Sequence, residues 1–143
     1  MAKPYYEFFC PVKVIAGNAA LEHMPFELAS MGASRPMIIT DKGVRANGLL
    51  EPVEAAFEST EVKIGFIYDD VPPDSSLETV KSVADAYRTN ACDAIIAIGG
   101  GSVIDTAKAA NILVTEGGDD LLKYSVAHNL PKPLKPFFVV PTT

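Results

Sequence analysis

Apolar residues in this chain follow two patterns, short unbroken runs and longer segments with helical spacing. The run at residues 94–98, Ala-Ile-Ile-Ala-Ile, contains no polar residue. Its length and β-branched content are typical of a strand buried on both faces of a parallel sheet. Three glycines and Ser102 follow, and apolar residues then recur at intervals of four, three and four from Val103 to Val114. That spacing is helical, so the sequence predicts a strand, a glycine turn and a helix.

The same two patterns recur along the rest of the chain. Further strands are predicted at residues 12–16, 37–40, 62–68 and 137–140. A first further helix is predicted after a cap at Asn18, with a kink or restart at Pro25, and a second begins at about Leu49. A third is predicted after a capping box at Ser75–Glu78, and a short one within residues 119–128. Strands that alternate with helices predict an α/β fold, a Rossmann-like domain with a mainly parallel sheet and helices on both faces. The 143 residues allow one such domain.

Glycine and polar residues follow the predicted strands at their carboxyl ends. Ligands bind at this edge of a parallel sheet, where we expect Asp41, the loop at residues 69–74, Gly99–Ser102 and Thr142–Thr143 to meet. A helix start offers unpaired N–H groups and the positive end of the helix dipole, and glycines let an anion approach the backbone. The glycine turn therefore predicts phosphate binding. The competing interpretation is a tight turn in which Ser102 is an ordinary helix cap.

Two aspartates near this edge each allow two interpretations. Asp41 at a strand end can accept hydrogen bonds from ribose hydroxyls and would repel a 2′-phosphate, which favours NAD over NADP. It could equally cap the next turn. Asp105 lies in the first turn of the glycine-loop helix, where the helix dipole and a local ion pair with Lys108 would explain it without a ligand.

Composition excludes several classes of function. The net charge of −6 and the scattered Lys and Arg provide no basic surface, so we expect neither nucleic acid nor an anionic membrane as a partner. No segment has the apolar length of a signal peptide core or a membrane span, which predicts a cytoplasmic protein. Cys10 and Cys92 are interpreted as small buried residues in a reducing compartment. His23 and His128 have no partner at metal-ligand spacing, so no metal site is predicted.

Familiar catalytic and nucleotide signatures do not occur in the sequence. It contains neither G-x-G-x-x-G nor the P-loop motif, and in a Rossmann unit the ribose-binding acid follows the glycines, whereas Asp41 precedes them. No nucleophile triad is recognisable, and the two histidines identify no general base. Residue patterns alone therefore reach a phosphate-binding α/β domain and no further.

Three motifs together resemble the iron-containing, or group III, alcohol dehydrogenases. They are GGGSVIDTAKAA from Gly99, the T-D-K-G element at Thr40–Gly43, and the final VVPTT. The resemblance runs from Val12 to the last residue. It implies that residues 1–143 are the amino-terminal dinucleotide-binding domain of a longer chain, whose all-helical domain supplies the metal ligands. On this basis we expect the chain to be an isolated domain, a fragment or a truncated gene product.

The resemblance also implies which residues bind the cofactor. The implied set is Asp41, Gly99, Gly100, Gly101, Ser102, Asp105, Thr142 and Thr143. The glycines and Ser102 would hold the pyrophosphate, Asp41 the adenosine ribose, and the two threonines the adenine and ribose side. Asp105 would lie near the nicotinamide end. Many members have proline in place of Val103 and N-P-T in place of residues 74–76, and Asp74 is therefore left out of the set.

The implied reaction is hydride transfer between an alcohol or aldehyde and NAD, with a divalent metal, iron or zinc, in the complete protein. No catalytic residue and no metal ligand is assigned within this chain. The alternatives are a non-catalytic nucleotide-binding or interaction module, and the same domain of a glycerol dehydrogenase or a dehydroquinate synthase-like enzyme. Because the missing helical domain would leave apolar surface exposed, we also expect a homo-oligomer.

Overall fold

In the computed structural model, which describes residues 4–125 and 130–142, four strands form one parallel sheet. The strands are β1 (Pro36–Ile39), β2 (Phe66–Tyr68), β3 (Ala94–Gly99) and β4 (Phe137–Pro141), in the order β2-β1-β3-β4. Each neighbouring pair is parallel, with Ile39 opposite Ala97 and Ala97 opposite Val139. The predicted α/β class and parallel sheet are confirmed.

Helices cover both faces of this sheet. They are α1 (Met24–Ser30), α2 (Lys42–Ala46), α3 (Glu51–Phe57), α4 (Leu77–Thr89) and α5 (Gly101–Glu116), with short 3-10 turns at Ala20–His23 and Leu121–Tyr124. In the central strand β3, Ile95 and Ala97 pack in the core beneath α4 and α5, while Ile96 and Ile98 pack in the core beneath α1 and α3. Burial on both faces is the reason the strand has an unbroken apolar sequence.

The strand order creates a topological switch point between β1 and β3. The chain passes from β1 to its neighbour β2, and then returns across β1 to form β3 on the other side. Connections on opposite sides of the sheet leave a crevice at the carboxyl ends of the two strands, where α/β proteins bind ligands. A buried hydrogen bond joins these ends, since the Thr40 hydroxyl donates to the carbonyl of Ile98 at 2.6 Å.

The predicted strand at residues 12–16 is wrong. This segment takes no place in the sheet, and Val14 is 82% exposed. An apolar segment becomes a strand only when a neighbour completes its backbone hydrogen bonds, and within the described residues no strand lies beside this segment. The predicted cap at Asn18 is also wrong, because the following turn begins after Ala19 with no side-chain cap. The restart at Pro25 is confirmed, with the proline in the first turn of α1.

Several element boundaries differ from the prediction. Strand β2 covers only the last three residues of the predicted 62–68 segment, and the residues expected to form a loop after Asp41 instead begin α2. The cap of α4 lies one residue later than predicted, since the Ser76 hydroxyl accepts from the Thr79 N–H at 3.2 Å. In the 119–128 segment the structure has a 3-10 turn at Leu121–Tyr124, and residues 126–129 lie outside the described part.

The two cysteines occupy different environments. Cys92 is buried as predicted, and burial raises the pKa of its thiol to about 11. Cys10 is exposed, so the prediction that both cysteines are buried is wrong for this residue. It lies in the amino-terminal segment, which packs into neither core cluster.

Candidate functional site

A cleft of about 490 Å³ opens at the switch point. Residues 41–43 after β1, 70–73 after β2, 100–103 after β3 and Thr142 after β4 line it. Four chain segments that are far apart in sequence therefore meet at one edge of the sheet. All four segments that were expected to meet at this edge contribute to the cleft lining. Thr143, which belongs to the last of them, lies outside the described residues.

The glycine turn forms the floor of this cleft. Gly99 ends β3 with a φ of +156°, and a Cβ there would lie 2.8 Å from a methyl carbon of Val103. Gly100 is the extended N-cap residue of α5, and no side chain caps the helix. Ser102 lies inside the first turn, so its interpretation as the ordinary cap is wrong. Because the first N–H groups of a helix have no partner within it, the turn presents donors at the cleft.

Gly101 is the residue of the glycine turn that has open space beside its backbone. A Cβ built on Gly101 would have no atom within 4 Å, although the residue lies at the start of α5 and lines the cleft. The space beside its backbone is therefore empty of protein atoms. A side chain here would therefore meet no packed neighbour at its Cβ, and an anion can approach the N–H groups of the turn.

Asp41 caps α2 at the opposite wall. Its Oδ1 accepts a hydrogen bond from the Val44 N–H at 2.8 Å, as predicted by the capping interpretation. Gly43 fits this arrangement closely, since a Cβ on it would lie 3.2 Å from the same oxygen. The cap occupies one carboxylate oxygen with a single hydrogen bond. A carboxylate has further acceptor positions, so capping leaves Asp41 able to bind a hydroxyl in the cleft.

Thr142 lies on the other side of the glycine turn. Its N–H donates to the Gly99 carbonyl at 3.2 Å, and the half-buried residue lines the cleft. Asp105 is placed differently. Its side chain is 78% exposed, forms the expected ion pair with Lys108 at 3.6 Å, and does not line the cleft. The structure thus brings together the predicted residues of the turn, Asp41 and Thr142, while Asp105 stays outside this group.

The sequence interpretation missed a pair of charges in the cleft lining. Lys42 Nζ lies 2.8 Å from Asp70 Oδ1, and a second ion pair joins Arg45 to Asp69 at 2.6 Å just outside the lining. The hydrogen bond and the charge of Asp70 raise the pKa of Lys42. Lys42 and Asp70 each belong to a loop that the sequence places at the ligand-binding edge of the sheet. Their pairing depends on β1 and β2 being neighbours, which the sequence pattern does not specify.

Comparison with known proteins identifies the family. A sequence model described as "Iron-containing alcohol dehydrogenase" matches residues 11–143. This chain belongs to the iron-containing alcohol dehydrogenase family. The resemblance found from the glycine, T-D-K-G and P-T-T motifs is therefore confirmed, and it covers nearly the whole chain.

Individual members agree with this assignment. The NAD-dependent methanol dehydrogenase of Bacillus methanolicus is 30% identical over 136 residues, which cover 95% of this chain and 35% of that protein. The alcohol dehydrogenase from Oenococcus oeni superposes with a TM-score of 0.76 at 30% identity, covering 87% of this chain and 33% of that one. A third similar structure is that of sulfoacetaldehyde reductase from Bifidobacterium kashiwanohense in complex with NAD⁺. It superposes with a TM-score of 0.84 at 22% identity and covers 99% of this chain and 37% of that one, which shows a shared fold. This chain spans about a third of the length of these relatives.

The family name implies iron, but the described residues do not fit a metal ion. Among residues 4–125 and 130–142, no group of three or more His, Cys, Asp and Glu side chains is arranged to hold one. His23 ends an exposed 3-10 turn, and His128 lies outside the described part. No chemical step through a metal is therefore assigned to the described residues. The same described residues include no helix that is both long and apolar enough to cross a membrane.

Proposed function

We propose that this chain forms the NAD-binding part of an alcohol dehydrogenase. The proposal rests on one observation, that the glycine turn, Asp41 and Thr142 line the same cleft at the switch point. Residues 1–143 would act as one dinucleotide-binding domain. The complete protein would transfer hydride between NAD and a small alcohol or aldehyde, the chemistry that the nicotinamide supplies when it is bound.

The first step of the argument concerns the pyrophosphate. It would lie over Gly100, Gly101 and Ser102, where the N-terminus of the 16-residue helix α5 faces the cleft. The helix dipole and the N–H groups of the first turn both favour a doubly charged anion. Support comes from the uncapped N-terminus and from the empty space beside Gly101. A glycine turn with only a structural role would need neither feature.

The second step concerns the adenosine ribose. Asp41 follows β1, the strand next to β3, so its carboxylate lies one strand away from the proposed pyrophosphate position. Ribose hydroxyls can donate to a carboxylate, whereas a 2′-phosphate would be repelled by it, and this favours NAD. Thr142 would contact the cofactor from the β4 side. A place for Asp105 near the nicotinamide remains a prediction, since Asp105 does not line the cleft and its side chain pairs with Lys108.

We assign no catalytic residue and no metal ligand to this chain. Its residues would bind and orient the cofactor, while a divalent metal, iron or zinc, would be held by groups elsewhere in the complete protein. Cytoplasmic location and homo-oligomeric assembly belong to the same proposal.

Replacement of Gly101 by leucine tests the proposed site. The new side chain would occupy the cleft without meeting a protein atom at its Cβ, so stability should be kept while NAD affinity falls more than about tenfold. Ala55→Leu is the matched control, because it adds the same side chain to an exposed position of α3 away from the cleft. Calorimetric titration with NAD and thermal unfolding should be measured for both variants. Unchanged NAD binding by Gly101→Leu would contradict the proposed site.

A further inference from the structure

Lys42 provides the positive charge at the mouth of the cleft. Of the described residues that line the cleft, it alone carries a cationic side chain, and two carboxylates, Asp41 and Asp70, lie in the same lining. Its Nζ is held by Asp70 at 2.8 Å. Both partners are mainly exposed, at 77% for Lys42 and 68% for Asp70. The pair therefore adds little to stability, and its location in the cleft suggests another role.

The sheet order places this ion pair beside the proposed ribose position. Asp41 and Asp70 each follow the last residue of their strand by two positions, Asp41 after β1 and Asp70 after β2. The Val71 N–H donates to the Thr40 carbonyl at 3.3 Å, which holds the loop after β2 against the end of β1. Moving outward from the glycine turn on β3, the cleft wall therefore presents Asp41 and then the Lys42–Asp70 pair.

We propose that Asp70 strengthens the preference for NAD that Asp41 would set, by withholding Lys42 from a 2′-phosphate. This inference rests on the proposed NAD site and refines it. In the proposed site Asp41 accepts from the ribose hydroxyls, and Lys42, which pairs with Asp70, is the next residue of the same loop. The additional phosphate of NADP would therefore lie next to Lys42 and Asp70. With Asp70 present, the lysine charge is already paired, and the carboxylate itself repels the phosphate.

The charges involved explain why the effect is selective. A phosphate monoester carries a charge of about −1.5 to −2 at pH 7, whereas the ribose hydroxyl of NAD carries none. Removal of the Asp70 charge should therefore change NADP affinity and leave NAD affinity almost unaffected. Lysine is a flexible point charge with three donors, so it can turn from a carboxylate partner to a phosphate partner without a change in the backbone.

Asp70→Asn is the variant that tests this inference, and Asp69→Asn is its matched control. Both remove one negative charge from the same loop, but Asp69 pairs with Arg45 and does not line the cleft. Dissociation constants for NAD and NADP should be measured by calorimetry at fixed salt. We expect Asp70→Asn to tighten NADP binding by about threefold to tenfold, with NAD binding changed less than about twofold. Asp69→Asn should change neither by more than about twofold.

The double variant Asp70→Asn/Lys42→Met identifies the group that binds the phosphate. If Lys42 is released to the 2′-phosphate, the gain in NADP affinity should be lost in the double variant. Three results would overturn the inference: unchanged NADP affinity in Asp70→Asn, an equal gain in Asp69→Asn, or a gain that survives the loss of Lys42. Failure of the unmodified chain to bind NAD would instead overturn the proposed function, so the two failures are distinguishable.

Discussion

At the scale of single residues, Asp41 combines a structural and a proposed binding role. Its Oδ1 caps α2, and the same residue lines the cleft. The sequence allowed both interpretations but could not combine them, because a capping role depends on where the next helix begins. That boundary was predicted near Leu49, whereas the chain forms the short helix α2 directly after Asp41.

Substitutions at Asp41 should separate the two roles. Asp41→Asn keeps a side-chain oxygen that can accept from the Val44 N–H, so stability should change by less than about 0.5 kcal/mol. Asp41→Ala removes the acceptor and should cost about 1 kcal/mol. Both variants lack the charge and should lose discrimination against NADP. Urea unfolding and cofactor titration provide the two readouts, and equal stability of the two variants would argue against the cap.

At the scale of elements, prediction succeeded where burial alone determines the structure. Strand β3 was predicted closely because its apolar residues are buried in both core clusters, and helices α4 and α5 because their apolar residues pack into one of them. Prediction failed for residues 12–16 and for most of residues 62–68, where the apolar residues are typical of a strand but strand pairing is absent or incomplete. Local sequence does not specify whether a partner strand exists. The Lys42–Asp70 pair was missed for the same reason, since it depends on strand order.

The hydrogen bond between β1 and β3 is expected to stabilise the switch point. Thr40 is fully buried, and its hydroxyl donates to Ile98 at 2.6 Å. Thr40→Val keeps the shape but removes the donor, so the free energy of unfolding should fall by about 1–2 kcal/mol. Thr40→Ser retains the hydroxyl and should keep this hydrogen bond while losing only a buried methyl group. A serine variant as unstable as the valine variant in urea unfolding would show that the hydrogen bond contributes little.

At the scale of the whole molecule, the strand order explains why the motifs matter together. The order β2-β1-β3-β4 brings the loops after all four strands to one cleft, which no single motif defines. The parallel α/β class followed from sequence pattern, and the family resemblance connected the separate motifs. Self-association remains a prediction. Its support is a set of four exposed aromatic residues close together in the amino-terminal sequence, and exposed apolar surface is typical of interaction sites. They are Tyr5, Tyr6, Phe8 and Phe9.

The most direct test of the central claim is a calorimetric titration of this chain with NAD and with NADP, without added metal. If the glycine turn holds the pyrophosphate and Asp41 the ribose, NAD should bind measurably and several-fold more tightly than NADP. Tighter binding of NADP would contradict the placement of Asp41 at the ribose. Binding of neither cofactor would contradict the claim that this cleft is a dinucleotide site.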